Sequence, residues 1–367
     1  MRIALVHEYL TGYYGSERVL AALAGLYPDA PIFVCVHHPS AVRGTPLEGR
    51  DVRASVLDRL PWLRRRHRLL LPLMPRAVER YDLRGFDVVI SSHHVAAHGV
   101  QTRPDQLHLC YTHSPQRYAW DLTRDPLSPR KPAPLRRFVL RRFRGWDLRA
   151  AQRPNAFAAN SRHVAGRIEQ IYGRAARVIY PPVDVGRFDP GRERQDHYLV
   201  AGRLVGYKNV EAVVRACGDL GRRLVVVGDG PDRRRLRRLA GPGIEFPGWL
   251  DEGRFAGQLE RCRALILGGE EDFGIVAVEA MAAGAPVLAL GRGGATETVV
   301  DGQTGRFFPE ATPEAIAQAI GLFEDKGVGA DAAAIHCHAQ RFGPERFARE
   351  ARDWVVSSYQ RFNKGPA

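Results

Sequence analysis

Short apolar runs alternate with stretches of helical spacing along the whole chain. Runs of about four to six residues that are apolar on both faces are typical of strands in a parallel sheet covered by helices. Segments such as 17–26, 210–216 and 313–323 instead repeat their apolar residues at helical spacing. This alternation predicts an α/β protein with parallel sheets. The predicted strands are 3–6, 32–36, 87–90, 107–111, 156–159, 198–201, 224–227, 244–246, 264–267 and 287–290.

The alternation breaks once, at the run Tyr180-Pro181-Pro182-Val183-Asp184. Consecutive prolines hold the chain extended, and strand–helix alternation restarts after them. We therefore expect two doubly wound, Rossmann-like domains, 1–182 and 183–343, that face a cleft and bind ligands at the carboxyl ends of their strands. Residues 344–367 are expected to form a C-terminal helix that can cross back to the first domain.

Length and composition exclude a collagen-like, coiled-coil, fully disordered or disulfide-rich secreted protein. The chain has 367 residues, of which 45% are hydrophobic and 26% charged, so it can bury a large core without disulfides or structural metal. Its five cysteines are scattered without CxxC spacing, which favours a reducing, cytoplasmic environment. No run is long and apolar enough to predict a transmembrane helix. The first apolar run meets His7 and Glu8 too soon for a signal peptide.

A surplus of basic residues predicts an anionic partner. The 54 Lys and Arg residues outnumber the 40 Asp and Glu residues, which gives a net charge of +14. Such a charge suits nucleic acid, an anionic membrane surface or a phosphorylated substrate, and by itself it does not choose among them.

The most informative motif follows the predicted strand at 264–267. A Gly-rich acidic loop, 268–274, precedes a helix that is expected to begin near Gly274. The first turn of a helix offers unpaired N–H groups and the positive end of the helix dipole, which together favour an anion. Glu271 lies just before this helix and Glu279 inside it. Because carboxylates repel phosphate, we expect both glutamates to bind sugar hydroxyls. The alternative is that neither binds a ligand, with Glu271 an exposed loop residue and Glu279 a solvated helix position.

A pair of cations follows the first predicted strand of the second domain. Arg203 and Lys208 lie at the carboxyl end of that strand, where both can converge on a diphosphate. The alternative, in a chain this rich in arginine, is that Arg203 and Lys208 lie on a solvated surface and bind no ligand. Gly-rich turns at 228–231 and 291–297 also follow predicted strands, but each is compatible with an ordinary turn. The loop 12–17 lacks GxGxxG spacing and gives NAD binding little support.

Taken together, these motifs resemble the retaining glycosyltransferases of the GT-B fold, specifically family 4. Glu271 and Glu279 have the spacing of that family's E-x7-E motif, and Arg203 with Lys208 resembles its diphosphate-binding pair. The resemblance covers almost the whole chain, is strongest from residue 178 to residue 310, and implies the GT-B fold.

A narrower resemblance concerns the first domain. Residues 111–121, read as Y-T-H-S-P-Q-R-Y-A-W-D, and residues 178–184 are similar to stretches of a bacterial mannosyltransferase subgroup that builds O-antigen and exopolysaccharide chains. This implies GDP-mannose as the favoured donor and a glycan or lipid-linked glycan as the acceptor, with a UDP-sugar as the alternative donor. The chain departs from the subgroup at Ser16, Ser114 and Gln116. These departures bear on which acceptor and which sugar are used more than on the type of reaction.

The resemblance also implies a catalytic set for a reaction that needs no metal or other cofactor. Arg203, Lys208 and the helix start at Gly274 are expected to neutralise the departing diphosphate. Glu271 is expected to hold hydroxyls of the donor sugar. His113 is expected to position that sugar from the first domain.

The implied donor-binding residues come from both domains. Glu279 is assigned to the ribose and the loop 248–252 to the border of the base. Gly15 and Ser16 are expected to let N–H groups approach the phosphate. The full set is Gly15, Ser16, Phe273, Gly274, Ile275, Glu279, Leu250 and Glu252. The 13 histidines match no common zinc spacing, so no metal is expected.

Two first-domain segments, 62–71 and 135–146, mix arginines with apolar residues. In the second, Val139, Phe143 and Trp146 fall with Leu135 on one helical face. Such a helix suits an anionic membrane surface, and it equally suits a helix packed on the sheet. Peripheral attachment to the inner face of the cell membrane is thus an option for a cytoplasmic protein.

Two function classes compete with the enzyme. A nucleic-acid-binding protein would explain the arginines, but the chain carries no signature of one, and nucleic acid is not an expected partner. A catalytically inactive GT-B scaffold on a membrane conflicts with the intact Arg203, Lys208, Glu271 and Glu279.

Overall fold

The computed structural model describes residues 1–59, 72–117, 119–120 and 134–364, which divide into two units. The first unit contains the described residues up to Pro182 together with those from Pro344 onward. The second unit runs from Val183 to Gly343. No helix of the described residues is both long and apolar enough to span a membrane.

A parallel sheet forms the centre of the first unit. The described strands of this unit are β1 (Ile3–His7), β2 (Tyr9–Leu10), β3 (Ile32–Val34), β4 (Val36–His37), β5 (Val52–Ala54), β6 (Val88–His93), β7 (Leu107–Thr112), β8 (Ala156–Ala159) and β9 (Ala176–Val178). Seven of them form one sheet in the order β5-β3-β1-β6-β7-β8-β9, and β2 pairs with β4. The helices that cover this sheet are α1 (Gly15–Leu26), α2 (Met74–Val78), α3 (Pro134–Ala150) and α4 (Arg162–Tyr172).

The second unit has the strand order of a Rossmann fold. Its strands are β10 (Tyr198–Ala201), β11 (Leu224–Val227), β12 (Ile244–Gly248), β13 (Ala264–Leu267), β14 (Val287–Leu290) and β15 (Gly305–Phe308). They pair in parallel in the order β12-β11-β10-β13-β14-β15. Its helices are α5 (Val210–Asp219), α6 (Arg233–Leu239), α7 (Glu252–Arg261), α8 (Ile275–Ala282), α9 (Ala295–Thr298), α10 (Pro313–Lys326) and α11 (Ala332–Ala339).

The last helix, α12 (Pro344–Asn363), packs within the first unit. Trp354 and Phe347 on this helix are almost fully buried, in one cluster with Leu5 of β1 and Leu20 of α1. The expected C-terminal helix therefore contributes to the core of the unit that begins the chain.

The predicted strand 32–36 is wrong as a single element. The chain leaves the main sheet after Val34, because the N–H of Cys35 donates to the carbonyl of Glu8, and β4 then pairs with β2. Three of the four outer strands of the two sheets, β5, β9 and β15, were not predicted. Outer strands are half solvated and each of these carries an arginine, so they lack the continuous apolar run of a buried strand.

Candidate functional site

The carboxyl ends of β10 and β13 lie side by side where the strand order of the second sheet reverses. Doubly wound sheets bind ligands in the crevice at such a reversal. The loops that leave there, 202–209 and 268–274, carry three of the four predicted catalytic residues. The structure therefore brings Arg203, Lys208 and Glu271 to one edge of one sheet.

Two glycines allow these loops to touch. A Cβ atom at Gly269 would lie 2.2 Å from the carbonyl oxygen of Tyr207, and one at Gly268 would lie 2.8 Å from that of Asn209. Both distances are too short for any side chain, so another residue at either position would push the loops apart.

Lys208 and Glu271 form an ion pair across this contact. The Nζ atom of Lys208 lies 2.5 Å from both carboxylate oxygens of Glu271, whose side chain is 10% exposed. A carboxylate with so little access to water is costly unless a partner holds it. The residues predicted to act on the diphosphate and on the sugar are thus bonded to each other.

Arg203 supplies a second cation on the β10 loop. Its side chain is half-buried, and across the described segments no hydrogen bond or ion pair holds its guanidinium. The backbone beside it is firmly placed, because the N–H of Leu204 donates to the carbonyl of Asp229 over 2.9 Å. A Cβ at Gly230 would lie 2.2 Å from the carbonyl oxygen of Leu204, so the Gly-rich turn 228–231 permits this close approach. The charge of Arg203 is left available to a ligand.

Helix α8 begins immediately after Gly274, whose φ of 86° favours glycine. Ahead of it, Phe273 is buried against Phe342, with ring centroids 5.6 Å apart. On the other side, the N–H of Gly294 donates to the carbonyl of Glu271 over 2.8 Å. The loop is thus fixed from two directions, and the first turn of α8, starting at Ile275, presents its N–H groups next to Glu271.

Glu279 lies inside α8 and has its own cation. Arg187 Nη2 donates to Glu279 Oε1 over 2.5 Å, and Arg187 Nη1 lies 3.7 Å from Glu252 Oε1. The Arg187 guanidinium also lies over the ring of Phe188, with 4.6 Å between Cζ and the ring centroid. The sequence analysis missed Arg187. The signal that could have found it is Glu279 itself, because a glutamate on an apolar helix needs a cation nearby.

The remaining predicted donor contacts of this unit lie at the start of α7. Leu250 is half-buried, and the Glu252 side chain is 72% exposed. Asp251 caps the helix by accepting the N–H of Arg254 over 2.8 Å. Through Arg187, Glu252 is connected to Glu279.

In the first unit, His113 follows β7 and is anchored by a serine of β6. Ser92 Oγ lies 2.8 Å from His113 Nε2. Burial, together with His94 and His7 nearby, holds the pKa of His113 well below its usual range. The imidazole is therefore neutral near pH 7.

Gly15 and Ser16 open helix α1, as the sequence analysis expected. Glu17 caps this helix, accepting the N–H of Tyr14 over 3.0 Å and the Ser16 hydroxyl over 3.1 Å. Glu17 is only 3% exposed. An anion at this helix start would meet a buried negative charge, which the sequence analysis did not anticipate.

A second buried carboxylate, Glu8, follows β1 where the order of the first sheet reverses. Its Oε1 accepts four successive N–H groups, those of residues 94–97, over 2.9–3.1 Å, and its Oε2 lies 3.0 Å from His94 Nδ1. Burial would raise the pKa of Glu8, but His94 and hydrogen bonds from His93 and His94 hold it well below the usual value. Burial would lower the pKa of His94, yet Glu8 raises it well above the usual value. Both groups are therefore charged near pH 6.

Two groups of described side chains have the composition and spacing to hold a metal ion. They are His7 with Glu8 and His94, and His93 with His98 and Asp147. The sequence analysis missed them because their members come from separate strand ends. Hydrogen bonds already use both carboxylates: Glu8 accepts the four N–H groups above, and Asp147 Oδ2 accepts from Trp120 Nε1 and the Tyr172 hydroxyl over 2.7 and 2.9 Å.

Two predicted features are affected by the limits of the described residues. The basic segment 62–71 lies outside them as a whole, and so do Tyr118 and Asp121 of the stretch 111–121. The two stretches of the narrower resemblance do meet, because the Tyr111 hydroxyl donates to the carbonyl of Ile179 over 2.8 Å.

Solved structures share this fold over nearly the whole chain. Sucrose-phosphate synthase from Thermosynechococcus elongatus matches with a TM-score of 0.76 and 17% identity, over 98% of this chain and 100% of that one. Anabaena HepE, solved in complex with UDP, matches with a TM-score of 0.69 and 17% identity, over 97% and 100%. The predicted GT-B fold is confirmed.

Two family models match the sequence in succession. The model described as Glycosyltransferase Family 4 matches residues 13–187, and the one described as Glycosyl transferases group 1 matches residues 186–336. Together the two models, both of glycosyltransferases, cover residues 13–336. The two matches meet close to the division between the units after Pro182.

Curated relatives resemble parts of this GT-B chain. A GDP-mannose-dependent alpha-(1-6)-phosphatidylinositol monomannoside mannosyltransferase of Mycolicibacterium smegmatis is 34% identical, over 44% of this chain and 50% of that protein. A D-inositol 3-phosphate glycosyltransferase of Streptomyces scabiei is 31% identical, over 53% and 52%. The chain thus spans about half the length of the curated relatives that it matches.

The Glu8–His94 pair predicts a stability maximum in mildly acidic solution. Glu8, with its lowered pKa, contributes fully above its ordinary pKa of 4.5, and its contribution is lost as the pH falls through the folded-state value. His94, with its raised pKa, contributes fully below its ordinary pKa of 6.5, and its contribution is lost as the pH rises through the folded-state value. The pair therefore stabilises most between pH 4.5 and 6.5.

Urea unfolding across this pH range checks the prediction, with Glu8→Gln expected to flatten the profile. Glu245→Gln is the matched control, because Glu245 is 64% exposed and 3.8 Å from Arg223. Equal profiles for the native chain and Glu8→Gln would contradict the assignment.

Proposed function

We propose that this chain transfers a hexose from a nucleotide-sugar donor to a glycan or lipid-linked glycan acceptor and retains the configuration at the anomeric carbon. The observation that carries the proposal is the Lys208–Glu271 pair at the reversal of the second sheet, with Arg203, which no described residue pairs, on the adjoining loop. These residues supply positive charge for a diphosphate and a carboxylate for sugar hydroxyls.

Mannose from GDP-mannose is the favoured donor. The name of the Mycolicibacterium smegmatis relative, a GDP-mannose-dependent mannosyltransferase, supports this choice. A UDP-sugar is the alternative, because HepE was solved with UDP bound. Membership of the O-antigen and exopolysaccharide subgroup stays a prediction.

The first requirement of the proposed chemistry is to neutralise the negative charge that develops on the leaving diphosphate. Arg203, Lys208 and the N–H groups at the start of α8 neutralise the departing diphosphate, which is stabilisation by charge already in place. When Lys208 pairs with phosphate oxygens instead of Glu271, the Glu271 carboxylate becomes available to the hydroxyls of the sugar. The departing phosphate then accepts the proton of the acceptor hydroxyl, and no metal is part of this scheme.

The other proposed contacts orient the donor. Arg187 fixes Glu279 for the ribose, and Leu250 with Glu252 borders the base. Phe273, Gly274 and Ile275 shape the helix start that the phosphates approach. From the first unit, His113 is the proposed contact with the sugar. The backbone N–H groups of Gly15 and Ser16 are the proposed contacts with the phosphates, although Glu17, which His7 faces over 3.5 Å, opposes an anion there.

Exchanging either partner of the ion pair is expected to abolish most transfer. Lys208→Gln removes the positive charge that is proposed to neutralise the departing diphosphate. Glu271→Gln removes the carboxylate that is proposed to accept hydrogen bonds from the hydroxyls of the donor sugar. Each variant should therefore lower kcat about hundredfold. The assay follows GDP release from GDP-mannose, in parallel with UDP release from UDP-hexoses, and assigns the anomeric configuration of the product by NMR. It is run with EDTA, where activity is expected to persist.

Arg215→Gln is the matched control. It breaks another ion pair of the same unit, Arg215 to Glu211 at 2.9 Å on α5, and should leave kcat unchanged. Full activity of Lys208→Gln and Glu271→Gln would contradict the proposed site.

We also propose that α3 attaches the chain to an anionic membrane surface. Its inner face buries Phe143, whereas Phe138 is 58% exposed among Arg137, Arg141 and Arg142, which are exposed too. An exposed aromatic ring among arginines suits the headgroup layer of an anionic bilayer. The rival function class, a basic nucleic-acid-binding protein on this fold, would use the same charge.

Cosedimentation with phosphatidylglycerol vesicles tests the membrane contact. Arg141→Glu with Arg142→Glu should abolish binding, because the two charges next to the exposed Phe138 ring become negative and repel the anionic headgroups. Arg234→Glu with Arg238→Glu makes the same change of charge on α6 and should leave binding in place. Equal loss from both double variants, or equal binding to oligonucleotides, would contradict a specific membrane face.

A further inference from the structure

Two adjacent serines of β6, Ser91 and Ser92, are almost fully buried in the middle of the first sheet. Successive residues of a strand face opposite sides of the sheet, so their hydroxyls serve different surroundings. Ser91 Oγ lies 2.9 Å from His108 Nε2. Ser92 Oγ lies 2.8 Å from His113 Nε2. The strand thus offers two serine–histidine contacts, only one of which involves a proposed catalytic residue.

The Ser92 hydroxyl is placed between two imidazoles. His7 Nδ1 lies 3.1 Å from both the carbonyl oxygen and the Oγ atom of Ser92. The Ser92 carbonyl only accepts hydrogen bonds, so its contact with His7 requires a proton on Nδ1, whatever the state of Nε2 beside Glu17. The Ser92 hydroxyl then accepts on the side of His7, and among the described residues His113 Nε2 is the acceptor left for the hydroxyl's own proton.

This arrangement decides the tautomer of His113. Nε2 accepts from Ser92, so in the neutral ring the proton is on Nδ1. Among the described residues none forms a hydrogen bond with this Nδ1. His113 thus has one anchored nitrogen and one N–H that is left to donate to an oxygen of a ligand.

The contacts continue from His7 to the start of α1. His7 Nε2 lies 3.5 Å from Glu17 Oε1, and Glu17 caps the helix that Gly15 and Ser16 open. Glu17, His7 and Ser92 therefore connect the two parts of the first unit that were predicted separately as donor contacts. None of the three was predicted as a site residue.

We propose that Ser92 is a positioning residue that fixes the ring orientation and the Nδ1–H tautomer of His113 for the donor sugar. The proposal rests on the proposed glycosyl transfer, because His113 has its role only there. Ser92 itself touches neither the sugar nor the diphosphate in this scheme. Its loss should therefore lower kcat about tenfold while the KM for the nucleotide sugar changes little.

The tautomer is measured without any activity assay. In the native chain, ¹⁵N NMR of the labelled histidines should show His113 protonated at Nδ1 with a hydrogen-bonded Nε2. In Ser92→Ala the ring should populate both tautomers. Protonation at Nε2 in the native chain would overturn the proposal, and this spectrum does not depend on whether any variant folds.

Kinetics then separate positioning from stability. Ser91→Ala removes the same kind of buried hydroxyl contact from the same strand and should leave kcat unchanged. Ser92→Thr keeps a hydroxyl and should recover most of the kcat that Ser92→Ala loses. If the native chain transfers sugar and Ser92→Ala keeps full kcat, the role of Ser92 is wrong; if the native chain transfers no sugar, it is the proposed function that fails.

Discussion

The ion pair between Lys208 and Glu271 is the interaction on which the candidate site depends. Glycines at 268 and 269 let the β13 loop lie against the β10 loop, and that contact leaves Glu271 with little water. A nearly buried carboxylate requires a cation, and the turn after β10 supplies it 2.5 Å away. The same pair joins the two loops at the carboxyl ends of β10 and β13.

Buried carboxylates with nearby cations recur at the other key positions. Glu279 is held by Arg187, and Glu8 by four N–H groups together with His94. Glu8 lies at the reversal of the first sheet, as Glu271 lies at that of the second. In both sheets, loops that leave neighbouring strands are joined by a buried charge that would be costly to leave without a partner. Such contacts give a defined shape to the edge where doubly wound sheets bind ligands.

The sequence could predict the buried strands and the loop motifs, because both depend on local order. Continuous apolar runs located the inner strands, while three outer strands, such as β5 with its central Arg53, lack that signal. The spacing of Glu271 and Glu279 singled out the β13 loop and α8. What the sequence could not show is which residues meet across strands. Arg187 and Ser92 become visible only once distant segments are placed together, since neither stands in a motif of its own.

Isothermal titration calorimetry with GDP and, separately, with UDP tests the central claim most directly. The account predicts saturable binding of GDP in preference to UDP, at moderate salt, with the binding enthalpy lost when Arg203 is exchanged for Gln. Preferential binding of UDP would keep the site and change the donor. Binding of neither nucleotide would contradict a diphosphate site between the β10 and β13 loops.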